Sequence, residues 1–294
     1  MSPRSTSFLR LVTLGLSLMS AALATPAGAA ESTQTFALMG DAGIWNQNTI
    51  DMHASMKRAG VKQLVMPGDN LYWGAGSYEE QWGHWAGFDF SVVAIGNHKV
   101  SYPKEVEFFK MPGEYYSKVF PGDIRFIVLN SDNEETAETQ AQWLEQQLQQ
   151  RSAMTFLVWH HSPYTLSSAH NWREKAAFQT RMRDIVRRHK DQITALLLGH
   201  DHIGAFYCAD SVPLIVTGAS WETREPETMN YIAEDKTKVS ARWVYPRQTA
   251  HWGRLEINPA QKLAKLSFIR ASDDASLYSL TLGEDPKSNP CLTP

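Results

Sequence analysis

Leu64-Val65-Met66-Pro67-Gly68-Asp69-Asn70-Leu71-Tyr72 is the stretch that decides the fold. Three apolar residues read as a buried strand, and Pro67-Gly68 stops it. A carboxylate follows at once, and a phenol three residues later. Turns at the carboxyl ends of parallel strands are where open α/β sheets hold their ligands. On its own a Gly-Asp turn is common. Here the arrangement recurs four times. Residues 35–39 run into Gly40-Asp41-Ala42-Gly43, and 91–95 run into Gly96-Asn97-His98-Lys99. Residues 155–159 run into His160-His161-Ser162-Pro163, and 194–198 into Gly199-His200-Asp201-His202. Strands of one sheet can gather these five ends at its carboxyl edge, and glycine beside the ligands allows close backbone approach. Every candidate donor is an oxygen or an imidazole, which suits hard and borderline metal ions.

Between the ligand turns lie helical faces. Met52, Met56 and Ala59 form one, Ala137, Ala141, Leu144 and Leu148 a second, and Phe178, Met182, Ile185 and His189 a third. The early strands are uniformly apolar and alternate with these helices, so they are expected to be buried on both faces. An antiparallel pair is expected over 115–119 and 124–129, across Pro121-Gly122-Asp123. The segments 241–245, 251–257, 263–269 and 277–282 alternate more and read as antiparallel sheet. No repeat or linker interrupts the chain. It is therefore read as an α/β protein with one domain over 31–294.

The first thirty residues are read apart from the fold. Arg4 and Arg10 precede an apolar core over 11–23 and a small-residue stretch with Ala27-Gly28-Ala29. That pattern is a secretory signal peptide, so the protein is expected to be exported, periplasmic or secreted, with no membrane span after signal removal. Export makes a disulfide between the two cysteines, Cys208 and Cys291, plausible. The formal charge of −3 carries no basic footprint for nucleic acid.

The five motifs in order are Asp41-x-Gly43, Gly68-Asp69-x-x-Tyr72, Gly96-Asn97-His98, Val158-x-x-His161 and Gly199-His200-x-His202. They resemble those of the calcineurin-like metallophosphoesterases. Many members of that superfamily carry a histidine two residues after the first aspartate. Gly43 stands there in this chain, and Tyr72 looks like the replacement ligand, an exchange shared with the purple acid phosphatases. The resemblance runs over about 36–220 and is nearest to the small, mammalian-type, tartrate-resistant branch, here as an exported member of bacterial style.

The resemblance implies a four-layer α/β/β/α metallophosphoesterase sandwich with two central mixed sheets. It also implies a dinuclear centre. The first metal, Fe(III), would take Asp41, bridging Asp69, Tyr72 and His202. The second, Fe(II), Zn(II) or Mn(II), would take Asp69, Asn97, His161 and His200. His161 is preferred to His160 because it stands two residues before Pro163, as in the family; His160 is left to packing or to a supporting role. His98 and His170 are the catalytic candidates for protonating the leaving group. His53, His84, His189 and His251 match no motif.

One position departs from the pattern. Lys99 stands where the family usually has an acid that helps to orient the histidine before it, so slower turnover is expected, and Lys99→Glu is expected to raise kcat. The implied activity is hydrolysis of small phosphate monoesters. A phosphodiesterase or nucleotidase on the same site is the alternative enzyme. A metal- or phosphate-binding protein without turnover is the alternative outside enzymes. Natural substrate and oligomeric state are not encoded in the motifs.

Overall fold

Each apolar run that ends on a ligand turn is a strand, and its successive residues face two different cores. In the strand Met154–Val158, Met154, Phe156 and Val158 join one buried cluster while Leu157 and the following Trp159 join another. The strand is apolar throughout because neither face meets water. The computed structural model describes residues 1, 33–167, 170–225, 230–245, 248–283 and 287–292. The stretch read as a signal peptide therefore lies outside the described residues, apart from Met1.

In chain order the strands are β1 (Gln34–Leu38), β2 (Gln63–Met66), β3 (Asp89–Val93), β4 (Tyr116–Phe120), β5 (Ile124–Val128), β6 (Met154–Val158) and β7 (Ala195–Leu198). After these come β8 (Gly204–Ala209), β9 (Val212–Thr217), β10 (Tyr231–Ile232), β11 (Lys238–Val244), β12 (His251–Asn258), β13 (Leu263–Arg270) and β14 (Ser276–Gly283). The α-helices are α1 (Gln47–Arg58), α2 (Tyr78–Trp82), α3 (Tyr102–Phe108), α4 (Ala137–Leu148) and α5 (Ala176–Arg188).

Two mixed sheets result. A six-stranded sheet runs β14-β13-β12-β1-β2-β3, and an eight-stranded sheet runs β10-β11-β8-β9-β7-β6-β5-β4. Within the first, β1, β2 and β3 are parallel neighbours. Within the second, β5, β6, β7 and β9 are parallel neighbours. Met52 and Met56 bury one face of α1 in the cluster of the first sheet. Asn46 caps that helix, accepting from the Thr49 N–H while Thr49 accepts from the Asn46 N–H. Leu144 and Leu148 of α4 and Phe178, Met182 and Ile185 of α5 join the outer cluster of the second sheet with Leu157, Trp159 and Leu198. Helix, sheet, sheet and helix form the four-layer α/β/β/α sandwich with two mixed sheets expected from the motifs.

The carboxyl ends of the two sheets are joined by backbone. The Gly40 N–H donates to the Thr217 carbonyl (2.8 Å), and Asp41 N–H to Gly68 O (3.0 Å). Gly199 N–H donates to His160 O (3.1 Å). The ligand turns thus lie on two sheets rather than the one expected, three after β1, β2 and β3 and two after β6 and β7, and the His98 N–H bond to Asp69 Oδ1 (2.8 Å) brings the Asn97 turn to the same seam. Cys208 on β8 is bonded to Cys291, which pins the C-terminal segment to the second sheet. Among the described residues no helix is long and apolar enough to cross a membrane.

Candidate metal centre

The ligand turns leave their strands through an unusual backbone. Asp41, Asp69, His200 and His202 all have φ between 52° and 72°. That left-handed region is sparsely used by residues with a Cβ and persists where the surroundings over-determine it. Four strained non-glycine residues at the ends of β1, β2 and β7 aim their side chains into one seam.

The structure brings all seven sequence-predicted ligands together, in two groups. In the first, Tyr72 OH donates to Asp41 Oδ1 (3.2 Å) and lies 3.3 Å from His202 Nε2, while His202 Nε2 lies 3.5 Å from Asp41 Oδ1. Donor atoms of Asp41, Asp69 and His202 lie within 4.8 Å of one another. The space taken by Tyr72 is opened by Gly43. A Cβ at Gly43 would come within 2.4 Å of Leu71 N, so the turn carrying the phenol occupies the room a longer residue would need.

The second group is centred on the imidazole of His160. Its Nε2 lies 3.1 Å from Asn97 Oδ1, 3.2 Å from His200 Nδ1 and 3.3 Å from Asp69 Oδ1. Its Nδ1–H donates to the Pro67 carbonyl (2.9 Å), which turns Nε2 toward the group. A backbone carbonyl on the far nitrogen is the usual support of a metal-binding histidine. Gly68 is what admits the ring: a Cβ there would meet His160 Nδ1 at 2.6 Å. His161 is the outer neighbour. Its Nδ1 pairs with Ser131 Oγ (2.8 Å), and it offers a donor atom within 4.8 Å of those of His160 and His200.

The strand period explains this order. Val158 faces the space between the sheets and Trp159 the helical layer, so the next residue, His160, returns to the inner face. Position relative to Pro163 points to His161; alternation along Phe156, Val158 and His160 points to His160, and that second signal was available in the sequence.

The two catalytic candidates lie on opposite flanks. The His98 N–H donates to Asp69 Oδ1 (2.8 Å), and its ring stacks on Tyr72 with centroids 4.5 Å apart. The His170 ring lies 3.9 Å from the His200 ring. Sequence reasoning missed three residues beside them. Glu174 Oε2 is 2.9 Å from His200 Nε2 and 3.4 Å from His170 Nδ1, which holds His200 with Nδ1 toward the centre. Arg224 Nη1 donates to His170 Nε2 (2.7 Å). Glu222 Oε2 is 3.5 Å from His202 Nδ1. Glu222 and Arg224 lie in a loop with no motif of their own, Glu174 completes the Asn171 cap of the 3₁₀ turn Trp172–Lys175, and only the fold brings the three near.

Lys99 is engaged elsewhere. Its ammonium pairs with Asp132, which also pairs with Lys175 (2.6 Å) and accepts from Tyr102 OH (2.9 Å). Its other partner is the Asn97 carbonyl (3.5 Å). The expected loss of orientation at His98 therefore has a different setting: the lysine closes a buried ion-pair network beneath the Asn97 turn.

Electrostatics fits the group for cations. Asp41 and Asp69 are wholly buried, and among the described residues neither has a lysine or arginine partner. Burial pushes the Asp41 carboxyl well above its ordinary range, against the pull of His160. Burial acts the same way on Asp69, but His160 and the His98 N–H outweigh it and hold that carboxyl well below the usual range. Burial lowers His200 to about 4 against Glu174, and lowers His202 to about 3, with Arg224 adding to the effect. Both are thus neutral imidazoles with a lone pair to offer. His160 rises to about 9, because Asp69 and Asp41 outweigh its own burial. Two buried carboxylates cost several kcal/mol each unless a cation is close. Carboxylate, phenol, amide and imidazole donors about 3 to 3.5 Å apart match the spacing of atoms around ions bound at about 2.1 Å.

No protein-family model matches the chain. No curated protein matches it either. Solved structures do match. GAP50, described as the anchor in the inner membrane complex of Plasmodium, superposes with a TM-score of 0.66 at 13% identity, covering 86% of this chain and 89% of that one. The purple acid phosphatase PPD1 from yellow lupin (Lupinus luteus) seeds superposes with a TM-score of 0.64 at 14% identity, over 86% of this chain and 54% of that one. The chain thus spans about half the length of the lupin protein. At such identities the likeness is one of fold, and the fold is that of a metallophosphoesterase sandwich.

Proposed function

We propose that this protein is a dinuclear metallohydrolase that cleaves small phosphate monoesters, with the character of an exported purple acid phosphatase. One observation carries the reading. Asp69 sits between two donor groups, Asp41-Tyr72-His202 on one side and Asn97, His160, His161 and His200 on the other. Such an arrangement would hold two cations, with Asp69 shared between them. Fe(III) suits the phenol and carboxylates, while Fe(II), Zn(II) or Mn(II) suits the imidazoles and the amide oxygen. Bound there, the pair would supply Lewis acidity and an activated water for phosphoryl hydrolysis.

The chain's own residues supply the rest. Asp69 and Asn97 set the spacing of the two groups. Glu174 and the Pro67 carbonyl fix the rings of His200 and His160. His98, stacked on Tyr72, is the proposed donor of a proton to a departing alkoxide. Beside it a cavity of about 690 Å³ is lined by Tyr72, Trp73, Asn97, His98, Lys99 and Val100. That is far larger than a phosphate group and leaves room for the organic part of an ester.

The test is a hydrolysis assay on metal-loaded protein with monoester and diester substrates side by side. Turnover of the monoester by the wild type, lost in Asp69→Ala together with both metal equivalents, is the expected result. Faster diester turnover supports the phosphodiesterase alternative; metal binding with no turnover of either supports the binding-protein alternative. A visible absorption band from phenolate on Fe(III), absent in Tyr72→Phe, tests the iron assignment. If Tyr72→Phe keeps the colour, the tyrosine is not the ligand.

A further inference from the structure

Arg224 stands in the loop after β9, outside every ligand motif. Its backbone N–H donates to the His202 carbonyl (2.9 Å), which ties it to the turn that carries two of the candidate ligands. Its guanidinium donates through Nη1 to His170 Nε2 (2.7 Å), and the His170 ring lies 3.9 Å from that of His200. Glu222 forms an ion pair with Arg224 Nη2 (3.6 Å), with no hydrogen bond between them, and lies 3.5 Å from His202 Nδ1. Lys99 and Lys175, the lysines on the neighbouring flank, are both committed to Asp132. Arg224 hydrogen-bonds to a neutral ring and pairs with the half-exposed Glu222 only at ion-pair distance, so it keeps further donors in hand. A guanidinium held beside a seam built for two cations is repelled by them unless an anion lies between.

Resting on the proposed phosphoesterase reading, we propose that Arg224 is a phosphate-binding residue that selects monoesters over diesters. A monoester presents three non-ester oxygens and carries up to two negative charges; a diester presents two and carries one. If two oxygens were taken up by metal ions in the seam, only the monoester would have a third for the guanidinium. The planar fork of arginine matches phosphate oxygens in a way lysine cannot. His170 is then a positioning residue for the guanidinium. It accepts from Arg224 while Glu174 holds its other nitrogen, and it releases Arg224 to the ester.

The experiment is calorimetric titration of metal-loaded protein with inorganic phosphate and, separately, with dimethyl phosphate, with metal content measured on every sample. Arg224→Ala is expected to weaken inorganic phosphate roughly 10- to 100-fold, the effect of hydrogen bonds to a charged group. Dimethyl phosphate should change less than about twofold, and Arg224→Lys should recover only part of the loss. The ratio of kcat/KM for monoester over diester should fall by the same factor. Arg224→Gln, which keeps a donor for His170, is the second variant if the alanine protein loses metal or fold. Unchanged phosphate affinity in either variant at full metal content overturns the proposal, as does an equal loss for both probes. Failure of the wild type to bind either probe removes the phosphoesterase reading itself.

Discussion

At the scale of residues, the histidine pair separates two readings of one turn. His160 has its Nε2 within 3.3 Å of three candidate ligands, while His161 pairs through Nδ1 with Ser131. His160→Ala is therefore expected to lose about one metal equivalent, and His161→Ala to keep both with weaker retention. Elemental analysis after dialysis decides, and the opposite pattern would return the ligand role to His161. Lys99 yields a second expectation, which reverses the one drawn from the motif alone. The side chains of Lys99 and Asp132 are 17% and 7% exposed, and Asp132 holds both Lys99 and Lys175. Burial raises the Asp132 carboxyl, and the two lysines outweigh it and keep it ionised. Lys99→Glu would set a second carboxylate against it. Setting a carboxylate against such a half-buried pair costs about 1 to 3 kcal/mol, so a lower melting temperature and lower kcat are expected. A higher kcat at unchanged stability would restore the view that an acid at this position orients His98.

Elements show where the sequence was legible and where it was not. The ligand-bearing strands were readable because burial on both faces leaves an unbroken apolar run that stops at glycine or proline. β8 and α3 were not. β8 follows directly on the histidine turn as Gly204-Ala205-Phe206-Tyr207-Cys208-Ala209, and the motif before it drew the eye from an equally apolar run. α3 is short, and its signal is the Ser101 cap followed by Pro103. Its buried Glu105 accepts from Asn70 Nδ2 (2.6 Å) and from Tyr78 OH (3.1 Å), so α3 props the turn of Asp69. Nothing local in the sequence announces such a contact, since Glu105 and Asn70 meet only once the chain has folded. The cysteine pair was readable only as one possibility. The bond between Cys208 and Cys291 closes a separation of 83 residues. Cys291→Ser is expected to lower stability by about 2 to 4 kcal/mol, with most of the effect arising in the unfolded chain. Denaturant unfolding with and without reductant checks it: the variant should be insensitive to reductant, and an equal response in both proteins would deny the bond.

For the whole molecule, pH acts through two buried groups of opposite sign, neither of them a candidate ligand. Burial raises the Glu105 carboxyl to about 7, against the donors Asn70 and Tyr78. The folded state therefore holds its proton more tightly than the unfolded chain, and stability falls as pH rises from about 4.5 toward 7. His251 behaves in reverse. It is 1% exposed, its Nδ1–H donates to the Thr249 carbonyl (2.9 Å), and burial lowers it to about 4. The unfolded chain binds this proton first, so stability is intact above about 6.5 and is lost as pH falls toward 4. By linkage that loss amounts to roughly 3 kcal/mol. The His251 ring also lies against Gly204, where a Cβ would come within 1.8 Å of Nε2, so the imidazole cannot swing away to meet water. His251→Gln, which cannot charge, should remove this acid limb. Melting temperatures should be recorded from pH 4 to 7 on protein stripped of metal by chelation, so that release of ions at low pH does not enter. The wild type is expected to lose more stability than the variant between pH 6.5 and 4.5, while the two run parallel above pH 7. Parallel curves over the whole range would mean that His251 is not the group that limits stability in acid.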